Sequence, residues 1–280
     1  MDSRLLEFFS YSTQVKQDWS LLVQEQPCRY LNRKCVKVRK SAPQIAIGSC
    51  TVKHGAKEQA VVICPHRMLQ GRKIFIDCIH LLSLHEPGNE LHVVSEIPIP
   101  GGSVDYFVVS VKKGKVKDFV GVEVQTMDTT GTIWGERQAF LASRGVLNFD
   151  ATIKRKNFGI NWKMTAKTAL MQLHHKIDTF EHLGKHLVLV VQDCLLDYMK
   201  MAFSFDKVES AKIGHSMHFH VYALERGEDQ SFYIDLKERM STDRTGLAYC
   251  LGLQGNAQMA FHEIVEKMEA KLSDSTLLKF

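Results

Sequence analysis

The alternation of hydrophobic and polar residues predicts three consecutive strands in the middle of the chain. They span Glu90–Pro98, Ser103–Val111 and Lys117–Met127, and the polar residues 112–115 form a turn between the second and the third. Valines alternate with other residues along the middle of the third strand, which is the period of a strand with two different faces. The pattern therefore indicates an antiparallel hairpin within a larger sheet.

A second pattern, with apolar residues three and four positions apart, predicts a long helix from Asn161 to about His182. Asn161 is a residue type that commonly precedes a helix, and Gly184 is suited to end one. The unbroken apolar run Leu187–Val191 follows as a strand buried on both faces. Strands, helix and strand in this order predict an α/β fold with a mixed central sheet and helices on both sides.

Patterns elsewhere are shorter and less regular. The stretch Ser3–Val23 has apolar residues near its start and is predicted to be a helix. The other predicted elements are a short helix at Ile79–Leu84, a helix at Asp193–Phe203, strands at Met217–Ala223 and Ser231–Leu236, and a helix at Ala257–Leu272. We divide the chain into an N-terminal segment at 1–72, a core at 73–200 and a C-terminal extension at 201–280, which carries no motif and is assigned to specificity or dimer contacts by default.

Composition allows a substantial core, since 45% of the 280 residues are hydrophobic. The longest unbroken apolar run is too short to cross a bilayer, so no membrane association is expected. The N-terminus lacks the basic and then apolar pattern of a secretory signal, which predicts a cytoplasmic protein.

Charge raises the possibility of a nucleic-acid partner. The net charge of +5 and the basic pI fit a protein that binds a polyanion, although many other soluble proteins are equally basic. Two basic clusters stand out, one around Cys35 and one at 154–156, and each is either a phosphate-contacting surface or a solvated face. The candidate DNA-contacting residues are Arg33, Lys37, Arg39, Lys154, Arg155 and Lys163.

The candidate chemistry lies on the predicted hairpin. Glu123 and Gln125 share one face of the third strand, opposite the valines. Centring the turn on Gly114 pairs Asp105 with Glu123, with Cβ atoms roughly 5 Å apart. Two carboxylates so close repel each other unless a cation lies between them, and Mg²⁺ prefers oxygen ligands. The alternative is an amphipathic strand whose polar face meets solvent, and a one-residue change in turn length could place Val122 opposite Asp105.

At these residues the sequence resembles the PD-(D/E)XK nucleases, in a variant whose final lysine is glutamine. Ser103-Val104-Asp105 stands where that superfamily has its Pro-Asp pair, and Glu123-Val124-Gln125 stands where it has its acidic tripeptide. The helix from Asn161 and the strand from Leu187 lie where its core expects them. The resemblance implies a restriction-endonuclease-like core, which would be the segment 73–200.

More narrowly, the chain resembles the NotI-type restriction endonucleases over roughly 28–193. The matching features are four N-terminal cysteines, Ile63-Cys64-Pro65-His66-Arg67, the acidic hairpin, Asn161-Trp162-Lys163 and Gln192-Asp193. The resemblance implies a homodimeric type II enzyme of a restriction-modification system that cuts double-stranded DNA with Mg²⁺. Asp105 and Glu123 would bind the metal and Gln125 would orient water or phosphate, with Glu96 as a possible accessory ligand.

The four N-terminal cysteines are candidate ligands of a second metal. Cys28, Cys35, Cys50 and Cys64 lie in an irregular segment with little core of its own, and four thiolates suit iron or zinc. Their spacing contains no Cys-X-X-Cys pair and is weak evidence by itself. The NotI-type resemblance implies a structural metal site here, which would make 1–72 a metal-stapled segment, held together by an ion bound to the four cysteines. It does not decide between iron and zinc.

Three readings of function remain open from the sequence. The leading one is the restriction enzyme, and the main alternative is a metal-stapled DNA-binding protein without nuclease activity. A hydrolase of small phosphoesters is weaker because no glycine-rich phosphate loop is found. His218 and His220 share a strand face, and we interpret them as structural or DNA-contacting residues because no acidic or cysteine ligand lies near them in the sequence.

Overall fold

A computed structural model of the chain describes residues 3–146, 158–253, 261–273 and 276. Its N-terminal part consists of short strands around one short helix. These elements are β1 (Leu5–Phe8), β2 (Tyr11–Ser12), α1 (Trp19–Glu25), β3 (Pro27–Cys28), β4 (Arg33–Lys34), β5 (Val38–Arg39), β6 (Ala42–Ala46), β7 (Ser49–His54) and β8 (Gln59–Val62). The helix predicted at Ser3–Val23 is present only at its end, in α1. Its start is wrong, because Phe9 and Ser10 have positive φ angles of 47° and 70° and turn the chain into a β1–β2 hairpin.

Short helical segments connect this part to the main sheet. A 3₁₀ segment at Pro65–Arg72 precedes α2 (Lys73–Ile76), and a single 3₁₀ turn follows at Ile79–Leu81. The helix predicted at Ile79–Leu84 is therefore reduced to that one turn.

The rest of the described chain forms a mixed α/β unit. Its elements are β9 (Glu90–Ile99), β10 (Gly102–Lys112), β11 (Lys115–Gln125), β12 (Thr129–Thr130), α3 (Trp134–Ser143), β13 (Gly159–Ile160), α4 (Trp162–His182), β14 (His186–Gln192), α5 (Asp193–Ala202), β15 (Glu209–Ser210), β16 (Met217–Arg226), β17 (Phe232–Thr242), α6 (Arg244–Cys250) and α7 (Phe261–Glu269). Helices α3 and α6 were not predicted. The predicted helix at Ala257–Leu272 is found as α7, and 257–260 lie outside the described residues.

Seven strands form the main sheet, in the order β15-β17-β16-β14-β11-β10-β9. The three central strands β11, β14 and β16 run parallel to one another, and the outer strands are antiparallel to their neighbours. The predicted mixed α/β class is confirmed. Parallel strands occur where both faces are covered, and all seven residues of β14 are buried.

Each face of the sheet carries its own hydrophobic cluster. Helix α4 packs Leu170, Ile177 and Phe180 into the larger cluster, which also takes in α5. Gly121 on β11 allows that close approach, because a Cβ there would lie 2.4 Å from the Phe180 ring. The short helical segments after β8 cover the other face, where Phe75 packs with the valines of β10, β11 and β14.

The division of the chain into segments at residues 72 and 200 stays a prediction.

The β10–β11 hairpin reaches the predicted register by an unexpected route. Lys113 and Gly114 form a two-residue turn with positive φ angles of 51° and 69°, so Lys112 pairs with Lys115. That turn is one residue shorter than a turn centred on Gly114. The register then shifts between Ser110 and Val111, where Lys117 is an extra residue that forms a β-bulge. The bulge restores the predicted register from Ser110–Asp118 to Tyr106–Val122.

None of the helices in the described ranges is long and apolar enough to span a membrane.

Candidate active site

The three residues that the sequence analysis placed on the hairpin lie together in the structure. Asp105 on β10 and Glu123 and Gln125 on β11 line one polar pocket of about 230 Å³ between the sheet and α4. Ser103 of β10 and Gln172 and Lys176 of α4 complete its polar lining. The β10–β11 register, extended by one residue beyond Tyr106–Val122, places Asp105 beside Glu123.

Backbone hydrogen bonds fix two of these side chains. The Val124 amide donates to Asp105 Oδ2 at 2.9 Å, so this carboxylate bridges the two strands at their ends. The side-chain amide of Gln125 donates to the Thr126 carbonyl at 2.7 Å. Both side chains are half-buried and are therefore held at the pocket wall without being sealed from solvent.

Glu123 is the most buried acid of the group. Lys176 Nζ donates to Glu123 Oε1 at 2.6 Å, and the side chains of Lys176 and Glu123 are only 6% and 11% exposed. The pKa of Glu123 is raised to about 7, with burial as the largest cause. The Lys176 ammonium lowers this pKa, and the Asp105 charge raises it. The carboxylates therefore repel each other, and one ammonium partly offsets that repulsion.

The turn between β9 and β10 holds Lys176 from the other side. Gly101 has a φ of 92°, and a Cβ on it would lie 2.0 Å from the His175 carbonyl oxygen. Gly102, with a φ of 136°, would place a Cβ 3.2 Å from Lys176 Cε. The Thr179 hydroxyl donates to the Pro100 carbonyl at 3.3 Å. Only a glycine turn lets the hairpin touch the helix backbone here, next to the lysine stem.

Glu96 is near the pocket but does not line it. On β9 it falls between Ser95 and Ile97, which pair with Tyr106 and Val104, so it lies across from Asp105. Its side chain is exposed and its φ is 58°. The carboxylates of Asp105 and Glu96 both raise the pKa of the Tyr106 phenol, after burial, which is the largest cause.

Lys176 was not identified from the sequence, because it lies far from the hairpin in the chain. A signal was nevertheless present. Ala169, Leu173 and Lys176 are spaced three and four residues apart, so a lysine occupies the buried face of α4. A cation on an apolar helical face needs a partner, and here the partner is Glu123.

Of the four N-terminal cysteines, three are buried and Cys35 is half-buried. The pKa of Cys64 is lowered to about 6, mainly by a hydrogen bond with the Cys50 thiol. Burial opposes this effect, and the Lys37 charge adds to it. Cys64 and Cys28 both raise the pKa of Cys35, which burial raises most. Within the described ranges no three His, Cys, Asp or Glu side chains are arranged to hold a metal ion.

The candidate DNA-contacting residues have different surroundings. Arg33 is exposed on β4 and lies close enough to Tyr106 to lower the pKa of its phenol. Lys37 Nζ donates to the Ile63 carbonyl at 2.8 Å, and the Arg39 guanidinium lies 4.6 Å from the Trp134 ring centroid. Lys163 is exposed on α4. Lys154 and Arg155 lie outside the described residues.

His218 and His220 are buried on β16, with 1% and 0% of their surfaces exposed. His218 Nε2 lies 3.2 Å from His186 Nδ1, and the His220 ring stacks on His80. Burial lowers the pKa of His218 to about 4 and that of His220 to about 3. Their position excludes the DNA-contacting reading and supports the structural one.

Comparison with known proteins gives one match. The family model described as "Restriction endonuclease NotI" matches residues 23–233, which is well over half of the chain and includes the cysteines, the hairpin, α4 and β14. Neither the comparison with curated proteins nor that with solved structures gave a match.

Proposed function

Since the chain belongs to the NotI restriction endonuclease family, a family of DNA-cleaving hydrolases, we propose that it is a type II enzyme that cuts double-stranded DNA at a defined sequence. The observation that carries the proposal is the convergence of Asp105, Glu123 and Gln125 on one polar pocket. Two acids and an amide on adjacent strands, followed by α4 and β14, support a PD-(D/E)XK core of the E-X-Q variant.

The donor set at this pocket fits Mg²⁺. Asp105 and Glu123 supply hard oxygen ligands. The Asp105 charge raises the Glu123 pKa because the two negative charges repel, and a cation bound between them would relieve that repulsion. When bound, Mg²⁺ polarises a phosphate and lowers the pKa of a coordinated water. Asp105, held by the Val124 amide, and Glu123, held by Lys176, are the ligands we propose. Gln125 would orient water or phosphate by hydrogen bonding, and Glu96 stays an accessory candidate.

The basic residues of the cysteine-containing segment are proposed to contact DNA phosphates. Arg33 is exposed, as a phosphate contact must be, and its neighbour Tyr106 lies on the Phe75 face of the sheet, opposite the pocket. Lys37 and Arg39 would act from the same segment, and Lys163 from α4. A homodimer is proposed because cutting both strands of a symmetric site calls for two active sites related by a two-fold axis.

We propose a structural iron or zinc site at the four cysteines from the NotI resemblance and from their thiol chemistry. In the described residues the side chains are not arranged to hold an ion, so binding would require them to move together. Cys50 and Cys64 already share a hydrogen bond, and the low pKa of Cys64 favours the thiolate that a metal requires. Cys28 and Cys35 would complete a four-sulfur set. Metal analysis of the purified protein tests this proposal: about one iron or zinc per chain is expected, with loss of metal and of thermal stability in Cys35→Ser. Full metal content and stability in that variant would exclude the four-cysteine site.

One assay tests the main proposal. The purified protein is incubated with phage DNA and Mg²⁺, and discrete fragments are expected. Asp105→Asn should bind the DNA without cutting it, whereas Asp235→Asn, an exposed acid on β17, should cut normally. A smear would indicate a nonspecific nuclease. No cleavage of diverse DNAs would favour a DNA-binding protein without nuclease activity.

A further inference from the structure

The polar pocket has acids on the sheet side and a cation on the helix side. Among the described residues that line it, Lys176 is the one with a positive charge. Gln125 is neutral, so the two strands by themselves offer nothing to balance the charge of a bound phosphate. The ammonium of Lys176 is already inside the pocket, 2.6 Å from Glu123 Oε1.

We propose that Lys176 is a further catalytic residue, whose ammonium contacts an oxygen of the phosphate that is cut. The inference rests on the proposed function. As water adds to phosphorus and the bond to the leaving oxygen breaks, one proton of the water is released and the leaving oxygen gains one. Lys176 stays protonated throughout and stabilises the negative charge on the phosphate oxygens, which is greatest in the transition state.

The surroundings of Lys176 favour this role over a purely structural one. A buried ion pair is a poor source of stability, because desolvation of both charges offsets their attraction. An apolar residue at this position would continue the stripe formed by Leu173, Ile177 and Phe180. The Lys176 ammonium also borders a polar pocket that solvent reaches, whereas a stabilising pair needs no such access.

The position of the lysine stem is also set in advance. Gly101 packs the β9–β10 turn against the His175 backbone, and Gly102 packs it against Lys176 Cε. The Lys176 side chain therefore has little freedom to move. A charge that is already ordered costs little entropy when substrate binds. Lys200 on α5, by contrast, is exposed and pairs with Glu238 at the surface.

The test compares Lys176→Met and Lys176→Arg with Lys200→Met, a control that removes an exposed lysine paired with Glu238. Cleavage of phage DNA is measured under single-turnover conditions with Mg²⁺. DNA affinity is measured by gel shift without Mg²⁺, and folding by thermal melting. Lys176→Met should cut about a hundredfold to a thousandfold more slowly than the wild type while binding DNA within roughly threefold. Lys176→Arg should recover part of the rate, and Lys200→Met should match the wild type.

A second measurement guards against misfolding. Lys176→Ala is assayed with increasing methylammonium, which can enter the vacated space, and with tetramethylammonium, which cannot donate a hydrogen bond. A saturable rescue by methylammonium alone supports the proposal. Cleavage by Lys176→Met at the wild-type rate would overturn the proposal. Equal losses of cleavage rate in Lys176→Met and Lys176→Arg, without rescue of Lys176→Ala, would also overturn it. An inactive wild type would instead overturn the proposed function itself.

Discussion

Replacing Gly101 with alanine is expected to damage catalysis from outside the pocket. The new Cβ would lie 2.0 Å from the His175 carbonyl oxygen, whereas ordinary contacts begin at about 3.4 Å. The β9–β10 turn and α4 must therefore separate by roughly 1.4 Å. Lys176 is the next residue of that helix and holds Glu123 through a 2.6 Å contact, so the shift moves the lysine away from the acid.

The size of the effect follows from two terms. An alanine at a φ of 92° costs about 1–2 kcal/mol in backbone strain wherever it is placed. A displacement of about 1 Å at an active site can lower the rate about a hundredfold. Gly88→Ala separates backbone strain from displacement of the helix, because the φ of Gly88 is 87° and no atom lies within 4 Å of a Cβ there.

Both variants are measured by urea unfolding and by single-turnover cleavage of phage DNA. Gly101→Ala and Gly88→Ala should each lose about 1–2 kcal/mol of unfolding free energy from strain, while only Gly101→Ala should cut about a hundredfold more slowly. If Gly101→Ala cuts within about threefold of Gly88→Ala, the turn does not position the site.

Further predictions concern protons and DNA. The unfolded chain protonates His218 and His220 near their ordinary pKa of 6.5, but the folded protein keeps them neutral to about pH 4 and 3. Stability should thus fall by roughly 1.4 kcal/mol per pH unit for each histidine as the pH drops below 6.5, and urea unfolding that is flat from pH 7 to 5 would contradict this. Glu123, with its pKa raised to about 7, must lose a proton to bind metal, so Mg²⁺ affinity by calorimetry should be roughly tenfold weaker at pH 6 than at pH 8, and equal affinities would exclude Glu123 as a ligand. Arg33→Ala should lower the slope of log affinity against log salt by about one in gel shifts, and an unchanged slope would mean that Arg33 contacts no phosphate.

The main sheet was largely predictable because its signals are local. Alternating valines identify a strand and its two faces, and the apolar run Leu187–Val191 identifies a buried parallel strand. The N-terminal hairpin was not predictable in the same way, since its strands have four and two residues and all four residues of β1 are buried. Without exposed positions β1 has no alternation, and its apolar residues were misread as a helix.

Helix α3 was missed for a different reason. Its buried residues include Glu136, Arg137 and Gln138, so no apolar stripe marks its inner face. Glu136 pairs with Arg4, and Arg137 donates to the Ile47 carbonyl, and both partners are distant in the sequence. Lys176 was missed because its meaning depends on Glu123, on another element. Buried charges are predictable only when their partners are known.

The bulge at Lys117 determines which residue of β11 faces Asp105, because it changes the register that the turn sets. If Lys117 were paired instead of bulged, the register set by the turn would continue, and β11 would slide past β10 by one position. Val122 would then lie opposite Asp105, and Glu123 and Gln125 would face the other side of the sheet. A chain that keeps both acids and the amide would then lack their shared pocket, so searches for relatives should weigh the spacing between these residues as heavily as their identity.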